Sequence, residues 1–189
     1  MARATPRLAE SYRSLSPREL TFMWQTHPKT SGRSPAVVEY DEVIRARNLD
    51  SVFGNADSVI LFYPNLKRGN SVAGHYVSLV KHPDTKTVFF YDPYGIKPDK
   101  QKSFARNKDA LYDEKENTLI RHLLDSGWNV DYSHHKHQSQ KAGVATCGRH
   151  SLNRCLYEKL TNDQYDQLLR FAGKKMKLGL DDTVATLWK

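Results

Sequence analysis

The stretch from residue 57 to 92 leaves the chain the least freedom. Asp57-Ser-Val-Ile-Leu-Phe-Tyr63 is a continuous apolar run closed by Pro64-Asn65. A run this short and apolar is a buried strand rather than a helix. After a loop at Lys67–Gly74 come two more β-rich runs, His75-Tyr-Val-Ser-Leu-Val-Lys-His82 and Thr87-Val-Phe-Phe-Tyr-Asp92. Only Pro83-Asp-Thr-Lys86 separates them, which predicts a hairpin. Pro93-Tyr94-Gly95 then stops the strand.

Helical signals flank this β-rich centre. Ser16-Pro17-Arg18-Glu19 combines a cap, a proline at the first helical position and a capping box. It predicts a helix carrying Leu20, Phe22, Met23 and Trp24, preceded by a loose basic arm over residues 1–15. A second short helix is expected over Glu39–Leu49. Asp109–Ser126 has an apolar stripe of Leu111, Leu119, Ile120, Leu123 and Leu124, with Gly127 as its stop. Trp128–Tyr132 reads as a strand and Ser133–Thr146 as a loop rich in His, Lys and Gln. A helix over Cys147–Leu160 has Leu152, Cys155, Leu156 and Leu160 on its apolar stripe. Thr161-Asn-Asp-Gln164 is another capping box, opening a helix to about Phe171. Gly173–Gly179 reads as a basic turn, and Asp181 as the cap of a last helix ending near Trp188.

At 189 residues the chain is expected to be one domain, 1–189, and a monomer. Ten Tyr and three Trp exclude a disordered composition. The net charge of +8 suggests a polyanionic partner without identifying one. Two cysteines exclude a disulfide framework. Cys147 and Cys155 would sit about 80° apart around a helix, a poor geometry for pairing with each other. Reduced thiols and an intracellular setting follow as the expectation. The N-terminus has no apolar signal core and no apolar run approaches membrane length, so neither secretion nor a membrane partner is expected.

Chemistry concentrates at Gln140-Lys-Ala-Gly-Val-Ala-Thr-Cys147-Gly148. A thiol at a helix start feels the positive end of the helix dipole, which favours the nucleophilic thiolate. Such a cysteine needs a base, and the base an orienting partner. Hairpin register selects one of the eight histidines. If His82 pairs with Thr87, His75 lies opposite Tyr94, and Asp92 is its diagonal neighbour on the same face. Diagonal neighbours are about 7–8 Å apart at Cα, within reach of a His–Asp hydrogen bond. A turn one residue longer would separate them. Cys147 is then the nucleophile, His75 the base and later acid, and Asp92 the orienting carboxylate. Gln140, seven positions before Cys147, supplies a side-chain amide to the oxyanion beside the Cys147 backbone N–H.

Gly74-His75-Tyr76-Val77, Tyr91-Asp92-Pro93-Tyr94-Gly95 and Gln140…Thr146-Cys147-Gly148 together resemble the adenain-like viral cysteine proteases, a clan shared with the SUMO-specific proteases. The resemblance covers residues 55–160. It implies an α+β fold: a mixed, mostly antiparallel sheet packed against the helix that begins at the catalytic cysteine, a papain-like core arrangement. It further implies a thiol peptidase cutting after small residues at glycine-containing sites. A chain starting at Met1 without regulatory domains looks more like the viral maturation enzymes, which process capsid and other structural proteins in the virion and host-cell interior. Asp92 stands where adenain has Glu, and Tyr76 where Trp is common. No cysteine precedes Cys147, so covalent attachment of an activating peptide does not carry over. Gln138 is a rival for Gln140, which the spacing favours. No cofactor is needed for the chemistry. The family's use of DNA or a peptide as activator is an expectation, with Lys97, Lys100, Lys102, Arg106, Lys108 and Lys174, Lys175, Lys177 as the basic clusters.

Other readings remain. One is a deSUMOylase- or deubiquitinase-like isopeptidase of the same clan. Others are an acetyltransferase of that clan and a basic nucleic-acid-binding virion protein with dead chemistry. Cys155 reads as a core thiol. His134, His135 and His137 have no acid or cysteine at ligand spacing, so they read as a solvated loop bordering the site rather than zinc ligands.

Overall fold

The computed structural model describes residues 12–30, 34–68, 71–101 and 118–189. In chain order these form α1 (Pro17–Thr26), β1 (Ala36–Glu39), α2 (Tyr40–Arg45), α3 (Leu49–Phe53), β2 (Ser58–Arg68) and β3 (Ser71–His82). A single 3-10 turn (Pro83–Thr85) leads to β4 (Thr87–Tyr91). Then follow α4 (Thr118–Asp125), β5 (Asn129–Tyr132), α5 (Cys147–Leu156), α6 (Asn162–Met176) and α7 (Leu180–Leu187). The five strands lie in chain order in one sheet. Its centre, β2–β3–β4, is antiparallel, while β1 and β5 join the two edges in parallel. The fold is therefore α+β with a mixed sheet.

Helices cover both faces. Alternation along β2 sends Val59, Leu61 and Tyr63 into a core with Val77, Leu79, Val88 and Phe90, under Tyr40, Val43, Leu49, Phe53, Leu119 and Leu123 of α2–α4. Ile60 and Tyr76 point the other way, against Leu20 and Trp24 of α1, Leu152 and Cys155 of α5, and Trp188. Helix α5 thus lies between the sheet and the outer helices, and every residue from Cys147 to Cys155 is buried.

Several expectations are met residue for residue. The hairpin pairs His82 with Thr87 and Ser78 with Tyr91. Ser16 and Glu19 form the reciprocal capping box, as do Thr161 and Gln164. Other boundaries moved. Pro64-Asn65 does not end β2: the register slips between Tyr63 and Leu66, and pairing then resumes out to Arg68 and Ser71. A bulge absorbs the proline that the sequence presents as a stop, so most of the expected 67–74 loop is strand. The expected helix over Glu39–Leu49 is split into α2 and α3, and β1 was not foreseen. Of the helix expected over Asp109–Ser126, the part before Thr118 lies outside the described residues, as do Lys102, Arg106 and Lys108. Helix α5 ends at Leu156 rather than Leu160, because Arg154 turns its guanidinium onto the carbonyls of Tyr157 and Leu160, at 3.0 and 2.8 Å.

Helix α6 runs through Gly173 to Met176. Gly173 is a packing glycine: a Cβ there would stand 3.1 Å from the Leu178 carbonyl oxygen and 3.2 Å from Thr183 Oγ1. Of the expected basic arm, residues 1–11 lie outside the described ones. Residues 12–15 are docked, with Ala145 N donating to Tyr12 O at 2.7 Å and Tyr76 Oη to Leu15 O at 2.9 Å.

The turn after β4 is closed by Gly95 N donating to Asp92 O at 2.8 Å. Gly95 has φ +68°, and a Cβ there would meet the His134 carbonyl oxygen at 2.6 Å. Gly127 has φ +80° but open space around it. Left-handed strain alone costs about 1–3 kcal/mol. Gly95→Ala should therefore lower the thermal midpoint clearly more than Gly127→Ala; equal shifts would contradict the close packing at Gly95.

Candidate active site

The hairpin register brings His75 and Asp92 together, with Nε2 of the imidazole 3.1 Å from Asp92 Oδ2. The carboxylate is fully buried, and its other contacts hold its orientation. Tyr94 N donates to Oδ1 at 2.7 Å, and Gln101 Nε2 donates to Oδ2 at 2.5 Å. Tyr94 also stacks on the imidazole, with ring centroids 5.1 Å apart and planes 19° from parallel.

Cys147 is the first residue of α5 and is 4% exposed. It hydrogen-bonds the His75 side chain and the backbone of Tyr76 and Gly148. With Nε2 on Asp92, the other ring nitrogen is left for the thiol. Gly148 lets this helix start sit close under α1 and β3: a Cβ there would lie 2.9 Å from Leu20 Cδ2 and 3.5 Å from Tyr76 Cδ2. Three of the predicted residues, from two strands and a helix, therefore meet.

Electrostatics supports a reactive sulfur. Burial pushes the Cys147 thiol up, but the hydrogen bond and charge of His75, helped by the Tyr76 and Gly148 backbone, bring it below the ordinary thiol value. Burial pushes His75 down, and the charge and hydrogen bond of Asp92 together with Cys147 raise it well above an ordinary histidine. Both directions favour a thiolate–imidazolium pair at neutral pH. Cys155 is the opposite case. Burial drives it up to about 12, leaving an inert thiol inside the core.

Gln140 is exposed and hydrogen-bonds no described residue. Gln138 is buried, and its Nε2 lies 3.4 Å from the Val144 carbonyl oxygen. Neither amide is on the sulfur. Two contributors escaped the sequence reading. Tyr94 N on Asp92 is an Asx-type turn that the Asp-Pro-Tyr sequence could have revealed. Gln101 carries no signal, because only the tertiary fold brings it to Asp92.

The histidine loop also differs from the solvated reading. His137 is 3% exposed and is held between Asp166, at 2.7 Å from Nε2, and the Tyr91 hydroxyl, at 2.9 Å from Nδ1. His150 of α5 is fully buried beside it, its Nε2 3.2 Å from Asp181 Oδ1. His135 reaches Asp163 at 2.8 Å, and His134 is exposed. These carboxylates come from α6 and α7, remote in sequence from the loop.

No family model matches the sequence, and no curated protein is significantly similar to it. Among solved structures, the SUMO protease Ulp1 with its catalytic cysteine oxidised to a sulfinic acid is similar at 12% identity and TM-score 0.38, covering 94% of this chain and 80% of its own. Ulp1 in complex with Smt3, the yeast ortholog of SUMO, gives 13% identity and TM-score 0.35, with coverages of 96% and 79%. The Legionella pneumophila effector RavZ gives 9% and 0.38, with coverages of 93% and 65%. Likenesses this loose leave the chemistry to the site itself. Among the described residues no helix is long and apolar enough to cross a membrane.

Two measurements test these assignments. Iodoacetamide should modify the native protein once, at Cys147, and the reaction should persist to lower pH than with a model thiol. His75→Ala should move that pH dependence back toward an ordinary thiol. Double labelling of the native protein would contradict the contrast with Cys155.

Burial pushes His137 from 6.5 down to about 4, against the pull of its Asp166 hydrogen bond. Between those pH values the unfolded chain binds more protons than the folded one, so stability should fall as pH drops through that window. His137→Gln should flatten the dependence of unfolding free energy on pH between about 6.5 and 4; an unchanged slope would remove His137 as its source.

Proposed function

We propose that the protein is a cysteine peptidase with Cys147 as nucleophile, His75 as acid–base and Asp92 as orienting carboxylate. The observation that carries the reading is the single imidazole joining Asp92 through Nε2 to the Cys147 thiol at the start of a buried helix. The thiolate attacks a peptide carbonyl carbon, and the displaced electron pair rests on oxygen. Gln140 and the Cys147 backbone N–H are assigned to that oxyanion, Gln140 because its amide is free to turn onto a bound substrate. Collapse expels the amine, which takes its proton from the His75 imidazolium. Water deprotonated by His75 then hydrolyses the thioester.

The substrate proposed is a viral structural protein cut after small residues at glycine-containing sites. The excess of positive charge keeps a nucleic-acid activator within the proposal. The test incubates wild type and Cys147→Ala with the capsid proteins encoded beside it, at low salt with and without DNA, reading cleavage by intact mass. Cleavage by wild type alone is expected, and equal products from both would end the proposal. Gln140→Ala should lower kcat by about 10²–10³-fold and His75→Ala by more, while His135→Ala stays near wild type. A loss with Gln138→Ala instead would reassign the oxyanion donor. Labelling of Cys147 by a ubiquitin or SUMO C-terminal electrophile, without capsid cleavage, would make the enzyme an isopeptidase.

A further inference from the structure

Asp181 lies far from the hairpin in sequence, in the first turn of α7, yet its carboxylate reaches the start of α5. Oδ2 accepts from Ser139 N at 2.9 Å. Oδ1 accepts from the Thr146 hydroxyl and from His150 Nε2, the latter at 3.2 Å. One side chain therefore fixes three points. Ser139 lies between Gln138 and Gln140, Thr146 is the residue immediately before Cys147, its hydroxyl given to Asp181 rather than to the helix start, and His150 lies one turn further along that helix. The segment between Ser139 and Thr146 is largely exposed and turns through Gly143 at φ +82°. Its two ends meet on the same carboxylate.

The histidine side of this clamp is itself fixed. His150 Nδ1 lies 3.5 Å from the Tyr91 hydroxyl, which also bonds His137. Burial opposes charge on Asp181, but the bonds from His150, Thr146 and Ser139 outweigh it and hold the carboxyl below its ordinary value. The acceptor is thus a carboxylate, able to take several donors at once.

We propose that Asp181 is a positioning residue for the oxyanion side of the site, setting the glutamine-bearing loop relative to the Cys147 backbone N–H. This rests on the peptidase reading above. An oxyanion donor acts only at the correct distance from the developing charge, so loosening its support lowers turnover without removing any reacting group.

The test separates this role from a general structural one. Peptide hydrolysis passes through an oxyanion, whereas alkylation of the thiolate by iodoacetamide does not. Asp181→Ala should lower kcat by about tenfold or more while the alkylation rate of Cys147 stays within about twofold. Asp181→Asn keeps one acceptor oxygen and should fall in between; it also serves if the alanine variant does not fold. In a Gln140→Ala background, or Gln138→Ala if that amide is the donor, Asp181→Ala should cost much less than in wild type. Unchanged kcat, a parallel loss of alkylation, or full additivity with the glutamine variant would each overturn the proposal. Absence of turnover in wild type would instead be a failure of the peptidase reading. Hydrogen exchange at the Ser139 amide then decides the clamp alone: loss of protection in Asp181→Asn upholds it, and unchanged protection removes it.

Discussion

Helix α5 is enclosed on all sides, and the rest of the molecule answers that enclosure. A buried helix needs a partner for each polar side chain, or loses roughly 1–3 kcal/mol for a neutral group and more for a charged one. Here the partners come from both ends of the chain. Arg149 reaches the carbonyls of Trp188 and Arg13, each at 3.3 Å. Asn153 donates to the Tyr165 hydroxyl at 2.9 Å and accepts from Trp188 Nε1 at 3.1 Å. Arg154 meets two carbonyls and lies over the Tyr165 ring. These bonds tie the N-terminal segment, α6 and α7 to α5, while Ser151 Oγ and Arg154 Nε are left without a hydrogen bond among the described residues.

The same enclosure gives the two cysteines their opposite characters. Both are buried thiols on one helix, and for both burial alone raises the pKa. At the open end of the sheet Cys147 has an imidazole backed by a carboxylate, which reverses the sign. Cys155, one helix length away and without such a pair, keeps the penalty. Thiol acidity thus follows position along α5 rather than exposure, since the two differ little in accessible surface.

Much of the centre was legible in the sequence, because local rules governed it. A four-residue Pro-Asp turn between two β-rich runs predicts the hairpin, and the structure adopts the His82–Thr87 register that carries His75 to Asp92. Capping boxes at Ser16 and Thr161 depend on groups three residues apart and formed as expected. Legibility failed where a local signal met a tertiary demand. Pro64 reads as a strand end but became a bulge inside a longer ribbon. Gly173 reads as the start of a basic turn but lies inside α6, in close contact with the chain at Leu178. The histidine-rich loop reads as solvated, because nothing nearby in sequence could pair its rings; the pairing carboxylates, Asp163 and Asp166, lie on α6.

The sequence alone determined the β3–β4 hairpin and the helix starts at Ser16, Cys147 and Thr161, and it named the register at which His75 would meet Asp92. Each follows from chain geometry over a few residues. Only the tertiary structure decided that Gln101 closes on Asp92 and that Asp181 spans the loop before Cys147. Asp181 joins segments remote in sequence, and no periodicity or spacing encodes a contact that exists only after two layers have packed.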